Sequence, residues 1–501
     1  MTDRKSWSGI LSAMARAPKP LWMLLFVILV AAYGSVGASR PAAVANSTQD
    51  ESHDVRLVGY HDMQGRQALQ VTTKSDAANG NWVYVGHVPN TRTGDATLNP
   101  ITGQKEWNGT SILEISDPAH PKLVWHIPNE ASANSRSVSV VYDYQFESNP
   151  PGRDYLIRNS EAGEDRKFQI FDITSRGTDP SQISLVAEIT GTPENSCGPG
   201  CGGKFIERVH KGHWSQESGL YYSASHEPGF RTTSIHIWNL KDPKNPRFVG
   251  RAWLPGQKEG EDGFEEQYVH HPTVDEPNNR MYAGFREGSG HLAAWDISDP
   301  ASPKLVWSYD TSPPGRGPHT VSPILYETVP NITAADGELP RMYAFATDEL
   351  GDECARGVKS KSYMFDISHD SHPMPVSTFQ VPIGDFCDRG GNFGPHQHAE
   401  TVNGQLNRFE DKLVWIAYLN AGVRVVDISD PYRLKEVGYY IPKTNASPQP
   451  GQTRPAPIQL TDVDIDHRGL AYASDRSAPS CMGQGEACVG TGLFIFEYTG
   501  N

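Results

Sequence analysis

The chain has 501 residues, with 37% hydrophobic residues, 47 glycines and 38 prolines, a balance suited to many short strands and turns. Its formal net charge is −15 and no basic patch stands out, which argues against nucleic acid as a partner.

The N-terminus stands apart from the rest. Arg4, Lys5, Arg16 and Lys19 precede an apolar run from Leu21 to Tyr33, and Val36-Gly37-Ala38 and Ala43-Val44-Ala45 are candidate cleavage points. Residues 1–45 read as a signal peptide or an uncleaved signal anchor, and 46–54 as a polar tether. The body is expected to be exported, periplasmic or extracellular, either free or tethered to the membrane by this segment. Six cysteines agree with export and suggest disulfides. Cys197 lies close to Cys201 and Cys481 close to Cys488, while Cys354 and Cys387 fall in loops expected on one face, where they could meet. A zinc site at Cys197-x-x-x-Cys201 is the weaker reading, because no other cysteine pair lies in that repeat. Asn46, Asn108, Asn331 and Asn445 sit in Asn-x-Ser/Thr triplets, acceptors only in a host that glycosylates.

From residue 55 the chain repeats itself. The phrase Ala294-Trp295-Asp296-Ile297-Ser298-Asp299-Pro300, followed by Lys304-Leu305-Val306-Trp307, reads as strand, tight turn, strand. Related phrases centre on Ile115-Ser116-Asp117-Pro118, Phe171-Asp172-Ile173-Thr174, Trp238-Asn239-Leu240, Phe365-Asp366-Ile367-Ser368 and Val426-Asp427-Ile428-Ser429. They recur roughly every 57 to 70 residues, a period that marks a repeat architecture. A further copy, Leu493-Phe494-Ile495-Phe496, ends where its turn should begin, and Val55-Arg56-Leu57-Val58-Gly59-Tyr60 resembles the missing last strand. The expected fold is an all-β, seven-bladed β-propeller over 55–501, closed by the N-terminal strand pairing with the C-terminal blade. The Asp-Ile-Ser-Asp-Pro phrase with its following Leu-Val resembles the LVIVD-repeat family of propellers. That resemblance implies the fold and leaves function open.

First strands are expected at Ala68-Leu69-Gln70-Val71, Ser137-Val138-Ser139-Val140, Val209-His210, Val269-His270, Pro318-His319, Pro395-His396 and Leu460-Thr461-Asp462-Val463. Four of these begin with histidine. If the register holds, His210, His270, His319 and His396 point into one end of the central channel from four neighbouring blades, as metal ligands. His213, His271 and His398 are expected in the core or behind those ligands. Counting about five residues past the second-strand tyrosines gives Glu227, Glu287 and Asp348 on the same face, as general bases or carboxylates that orient the ligands. Arg286, Arg476 and His226 lie nearby and could bind an anionic substrate. No nucleophile elbow, His-Glu-x-x-His, P-loop or dinucleotide glycine pattern occurs.

The Asp-Ile-Ser-Asp-Pro phrases with Pro318-His319-Thr320 and Pro395-His396-Gln397-His398 also resemble the selenium-binding protein/methanethiol oxidase family. That resemblance implies an exported, metal-dependent oxidase of small thiols. A four-histidine channel is similar in concept to the iron site of carotenoid-cleaving dioxygenases. The expectation is an exported metal-dependent enzyme, an oxidoreductase acting on a small organic substrate through Cu, Fe or Zn. The alternative is a non-enzymatic envelope propeller that binds a protein or a ligand.

Overall fold

The computed structural model describes residues 49–76, 80–88, 96–131, 133–146, 150–160, 167–190, 208–263, 268–286, 290–312, 317–326, 341–349, 353–356, 360–369, 372–443, 457–476 and 492–500. The N-terminal apolar run, Glu287, Cys197, Cys201, Cys481, Cys488, Asn46, Asn331 and Asn445 lie outside them. Among the described residues no helix is long and apolar enough to cross a membrane.

The body is built from antiparallel four-stranded sheets in sequence order. The first runs Ala68–Asp76, Gly80–His87, Thr110–Glu114 and Lys122–Ile127. The next begin at Ser137–Val141, Arg208–Trp214, Tyr268–Asp275 and Pro318–Tyr326. The last two sets are joined in one larger sheet, which contains Phe393–His398, Leu413–Leu419, Val423–Asp427 and Lys435–Ile441, then Leu460–Ile465, Ala471–Asp475 and Gly492–Tyr498. Val55–His61 completes the final set by pairing antiparallel with Gly492–Tyr498. Glu51–His53, assigned to the tether from sequence, pairs with Lys435–Ile441. The first strands pack side by side in a closed order: 68–76, 137–141, 208–214, 268–275, 318–326, 393–398, 460–465 and back to 68–76. This is the arrangement of a β-propeller.

The repeated phrase has a local physical cause. Asp296, Asp366 and Asp427 each accept, through Oδ1, the backbone N–H two residues on (Ser298, Ser368 and Ser429, at 2.9, 2.9 and 2.8 Å). The carboxylate thereby ends the third strand in an Asx turn. The second aspartate repeats the device at Asp117, Asp299 and Asp430. The isoleucine between them is buried at Ile115, Ile173, Ile297, Ile367 and Ile428. The following Val-Gly serves packing between sheets. A Cβ on Gly59 would lie 1.9 Å from the Pro118 carbonyl oxygen, and one on Gly250 would lie 2.5 Å from that of Pro300. Each glycine lets a fourth strand approach the neighbouring sheet's Asp-Pro turn.

The core lies between adjacent sheets. Tyr222 and Ile237 pack with Val269, Met281 and Trp295, and Tyr282 and Trp307 pack with Ala344 and Phe365. Cys354 and Cys387 form a disulfide that joins the short helices Glu353–Arg356 and Phe386–Arg389. Asn108 is buried, donating to the Val88 carbonyl at 2.7 Å and accepting from Arg66 at 2.9 Å, so it is no glycan acceptor in the folded protein.

Candidate metal centre

The first strands break their pairing register where the histidines stand. The shift falls between Val209 and Gly212, Val269 and Pro272, Pro318 and Thr320, and Phe393 and Gln397. An extra residue at such a bulge leaves the ladder and is free to aim its side chain elsewhere. The same break occurs between Ala68 and Gln70 and between Leu460 and Asp462, where Leu69 and Thr461 take the histidine's place.

His210, His270, His319 and His396 are all buried, and they meet. His210 Nε2 and His270 Nε2 are 2.8 Å apart. Ring centroids are 3.4 Å apart for His270 and His319 and 4.5 Å apart for His319 and His396. Glu349 sits among them: its oxygens lie 3.9 Å from His270 Nε2, 3.8 Å from His319 Nε2 and 3.4 Å from His396 Nε2. Two groups could hold a metal ion, His319 with Glu349 and His396, and His270 with His271 and His319. An ion with nitrogen ligands at about 2.0–2.1 Å keeps those ligands roughly 3 Å apart. The observed separations are of that size. Among the described residues, buried His319 Nε2 has no hydrogen-bond partner, and it is a polar atom that an ion would satisfy.

The electrostatics favour lone pairs. Burial and neighbouring imidazoles push His270 and His319 well below the ordinary histidine range. His396 is lowered by burial against the pull of Glu349. Neutral imidazole is the ligating form. Burial pushes Glu349 up, but His396 and Arg286 outweigh it and hold the carboxyl well below the usual range. Arg286 contacts Glu349 at 3.0 Å.

The carboxylate at the cluster is Glu349, which the count from the second-strand tyrosine misses by one. Pro318 pairs with Asp348, whereas the equivalent Val209 and Val269 pair with Ser225 and Phe285. The fifth sheet's ladder is two residues longer, so the next position is Glu349, matching His226 and Arg286. Leu460 pairs with Asp475, which puts Arg476 at the same place in the last set. Strand register reveals this position and residue counting does not.

The nominated carboxylates lie in different surroundings. Asp348 accepts from the Tyr363 hydroxyl at 3.1 Å and from the Lys361 N–H at 3.3 Å, and burial raises it to about 7. Glu227 is clamped by Arg251 Nε at 2.6 Å, with His236 Nε2 at 3.7 Å. His226 Nε2 bonds the Phe230 carbonyl at 2.9 Å. His398 is held by Thr347 and Ser322 hydroxyls, each at 2.9 Å, as a core residue. His213 and His271 line a polar cavity with Asp462, Asp464, Gln397 and Glu400.

The LVIVD repeat model matches residues 105–127, 288–311 and 411–441. No curated protein matches the chain by sequence. Among solved structures, the chain is similar to Raptor of Chaetomium thermophilum at 13% identity and a TM-score of 0.46, over 93% of this chain but 31% of that one. It is similar to a hypothetical selenium-binding protein of Sulfolobus tokodaii at 11% identity, TM-score 0.47, over 82% of each chain. A periplasmic gluconolactonase of Pseudomonas aeruginosa aligns at 11% identity, TM-score 0.42, over 86% of this chain and 99% of that one. The protein is an all-β chain that carries LVIVD repeats.

Proposed function

We propose that the protein is an exported, seven-bladed propeller enzyme that holds one redox-capable transition metal at the end of its channel and oxidises a small organic anion. The observation that carries this reading is the meeting of His210, His270, His319 and His396, from four neighbouring sheets, with Glu349 beside the last three. The closed order of first strands supports the seven blades. The basic and apolar N-terminus, with the Cys354–Cys387 disulfide, supports export.

Imidazoles with one carboxylate are a donor set for iron, copper and zinc, and iron or copper would supply electron transfer when bound. The chain's own residues do the rest. His270, His319 and His396 present neutral nitrogens, and Glu349 brings negative charge to the site. Arg286 and Arg476, at the same register position in separate sheets, supply positive charge beside it. Burial lowers Arg476 against the attraction of Glu349, and Arg136 and Arg286 add to the lowering. A carboxylate paired with Arg286, with Arg476 within its electrostatic reach, leaves positive charge that favours an anionic substrate. Asp348, raised to about 7 by burial, is a candidate proton acceptor next in sequence to Glu349.

The test is metal content by mass spectrometry on the exported body purified without a histidine tag, beside His319→Ala and His396→Ala. Near-stoichiometric Fe or Cu that falls in both variants, with circular dichroism unchanged, is expected; Zn in their place would keep the metal site and sink the oxidation. No metal in the wild type after reconstitution would sink the metalloenzyme and leave a ligand-binding propeller.

A further inference from the structure

The residues immediately after the ligand histidines form a second layer. His271 follows His270, Lys211 follows His210 and Gln397 follows His396. All three are buried. Lys211 Nζ donates to Gln397 Oε1, and Gln397 Nε2 donates to Glu400 Oε1 at 3.1 Å. The other oxygen of Glu400 contacts His271 Nε2. His271 Nδ1 in turn lies 3.1 Å from His270 Nδ1. The chain ends at His270 Nε2, inside the candidate metal centre.

Each link leaves one choice for the next. A lysine ammonium only donates, so it faces the Gln397 oxygen and turns that amide's N–H toward Glu400. An ionised carboxylate only accepts, so His271 must donate through Nε2. A neutral His271 then has a bare lone pair on Nδ1. That lone pair can accept only a proton carried on His270 Nδ1, which leaves His270 Nε2 without one. Lys211 and Glu400 balance each other's charge within this buried layer, so a neutral His271 leaves it neutral overall.

We infer that Glu400, oriented by Lys211 and Gln397, acts through His271 to hold His270 in its Nδ1–H tautomer, so that His270 Nε2 faces the centre as a preformed lone pair. Free imidazole side chains favour the opposite tautomer. These four side chains are positioning residues. Their sheets lie in different parts of the chain, so the layer also ties the register of the first strands together across the channel. The consequence for metal rests on the proposed metal centre, but the tautomers do not.

The test is NMR of metal-free protein labelled with ¹⁵N in histidine, assigned with single His270 and His271 variants. The wild type should show His270 protonated on Nδ1 and His271 on Nε2. His271→Asn, whose amide oxygen can still accept from His270 Nδ1, should keep the His270 tautomer. Glu400→Leu and His271→Leu should release it to the Nε2–H form and lower Zn²⁺ affinity by about 10- to 100-fold. His270 carrying its proton on Nε2 in the wild type overturns the inference, as does an unchanged His270 signal in His271→Leu. The expected tautomers with no metal bound would instead overturn the metal centre alone.

Discussion

Two sides of the ring of first strands use one backbone device for different ends. On the side running from Arg208–Trp214 to Phe393–His398, the bulged residue is a histidine whose ring joins the cluster, beside Glu349 for His270, His319 and His396 and against His270 for His210. On the other side it is Leu69 or Thr461, and Thr461 Oγ1 closes against the Leu69 carbonyl at 3.0 Å. The repeat supplies a residue outside the ladder, and the side chain decides whether that residue packs or joins the polar cluster. Burial alone does not distinguish the two. His87, in the first sheet, is as buried as His319, yet it bonds the Ser111 hydroxyl at 2.9 Å and the Gln67 carbonyl at 3.2 Å and belongs to the scaffold.

The contrast can be broken most directly at the centre. Glu349→Gln keeps the shape and removes the charge, and it should weaken metal retention at least about tenfold, read by competition with a chelator. An unchanged affinity would mean that the carboxylate only balances Arg286. On the opposite side, Leu69→Ala should cost about 2–5 kcal/mol of stability in urea unfolding and leave metal content unchanged. Metal loss there would erase the distinction between the two sides. Gly59→Ala tests the packing common to both. Its methyl would clash with the Pro118 carbonyl, and a loss of about 1–3 kcal/mol is expected.

The last effect concerns pH. Burial, reinforced by Arg66, lowers His87 to about 3 from an ordinary value of 6.5. The unfolded chain takes up this proton first, so the stabilising contribution is complete above about pH 6.5 and is lost as pH falls toward 3. The loss is roughly 1.4 kcal/mol per pH unit. His87→Gln should flatten the fall in urea midpoint between pH 6 and pH 4 by about that slope. An unchanged slope would show that His87 does not titrate between the folded and unfolded states.

The sequence by itself determined the repeat, because Asx turns, a buried isoleucine and a close-approach glycine each demand a particular residue, as at Asp296, Ile297 and Gly250. It also placed the terminal strand, since Val55–His61 carries the same pattern as the other fourth strands. The four histidines were legible because they recur at one repeat position. Glu349 was not, because a ladder two residues longer in the fifth sheet shifts the count, and only strand pairing reveals the offset. The Glu400–His271 contact was equally out of reach, since it joins residues 129 positions apart whose side chains point across the channel. A local pattern is written into neighbouring residues by backbone geometry, whereas a meeting of side chains from separate sheets depends on bulge and register, which only the closed tertiary structure decides.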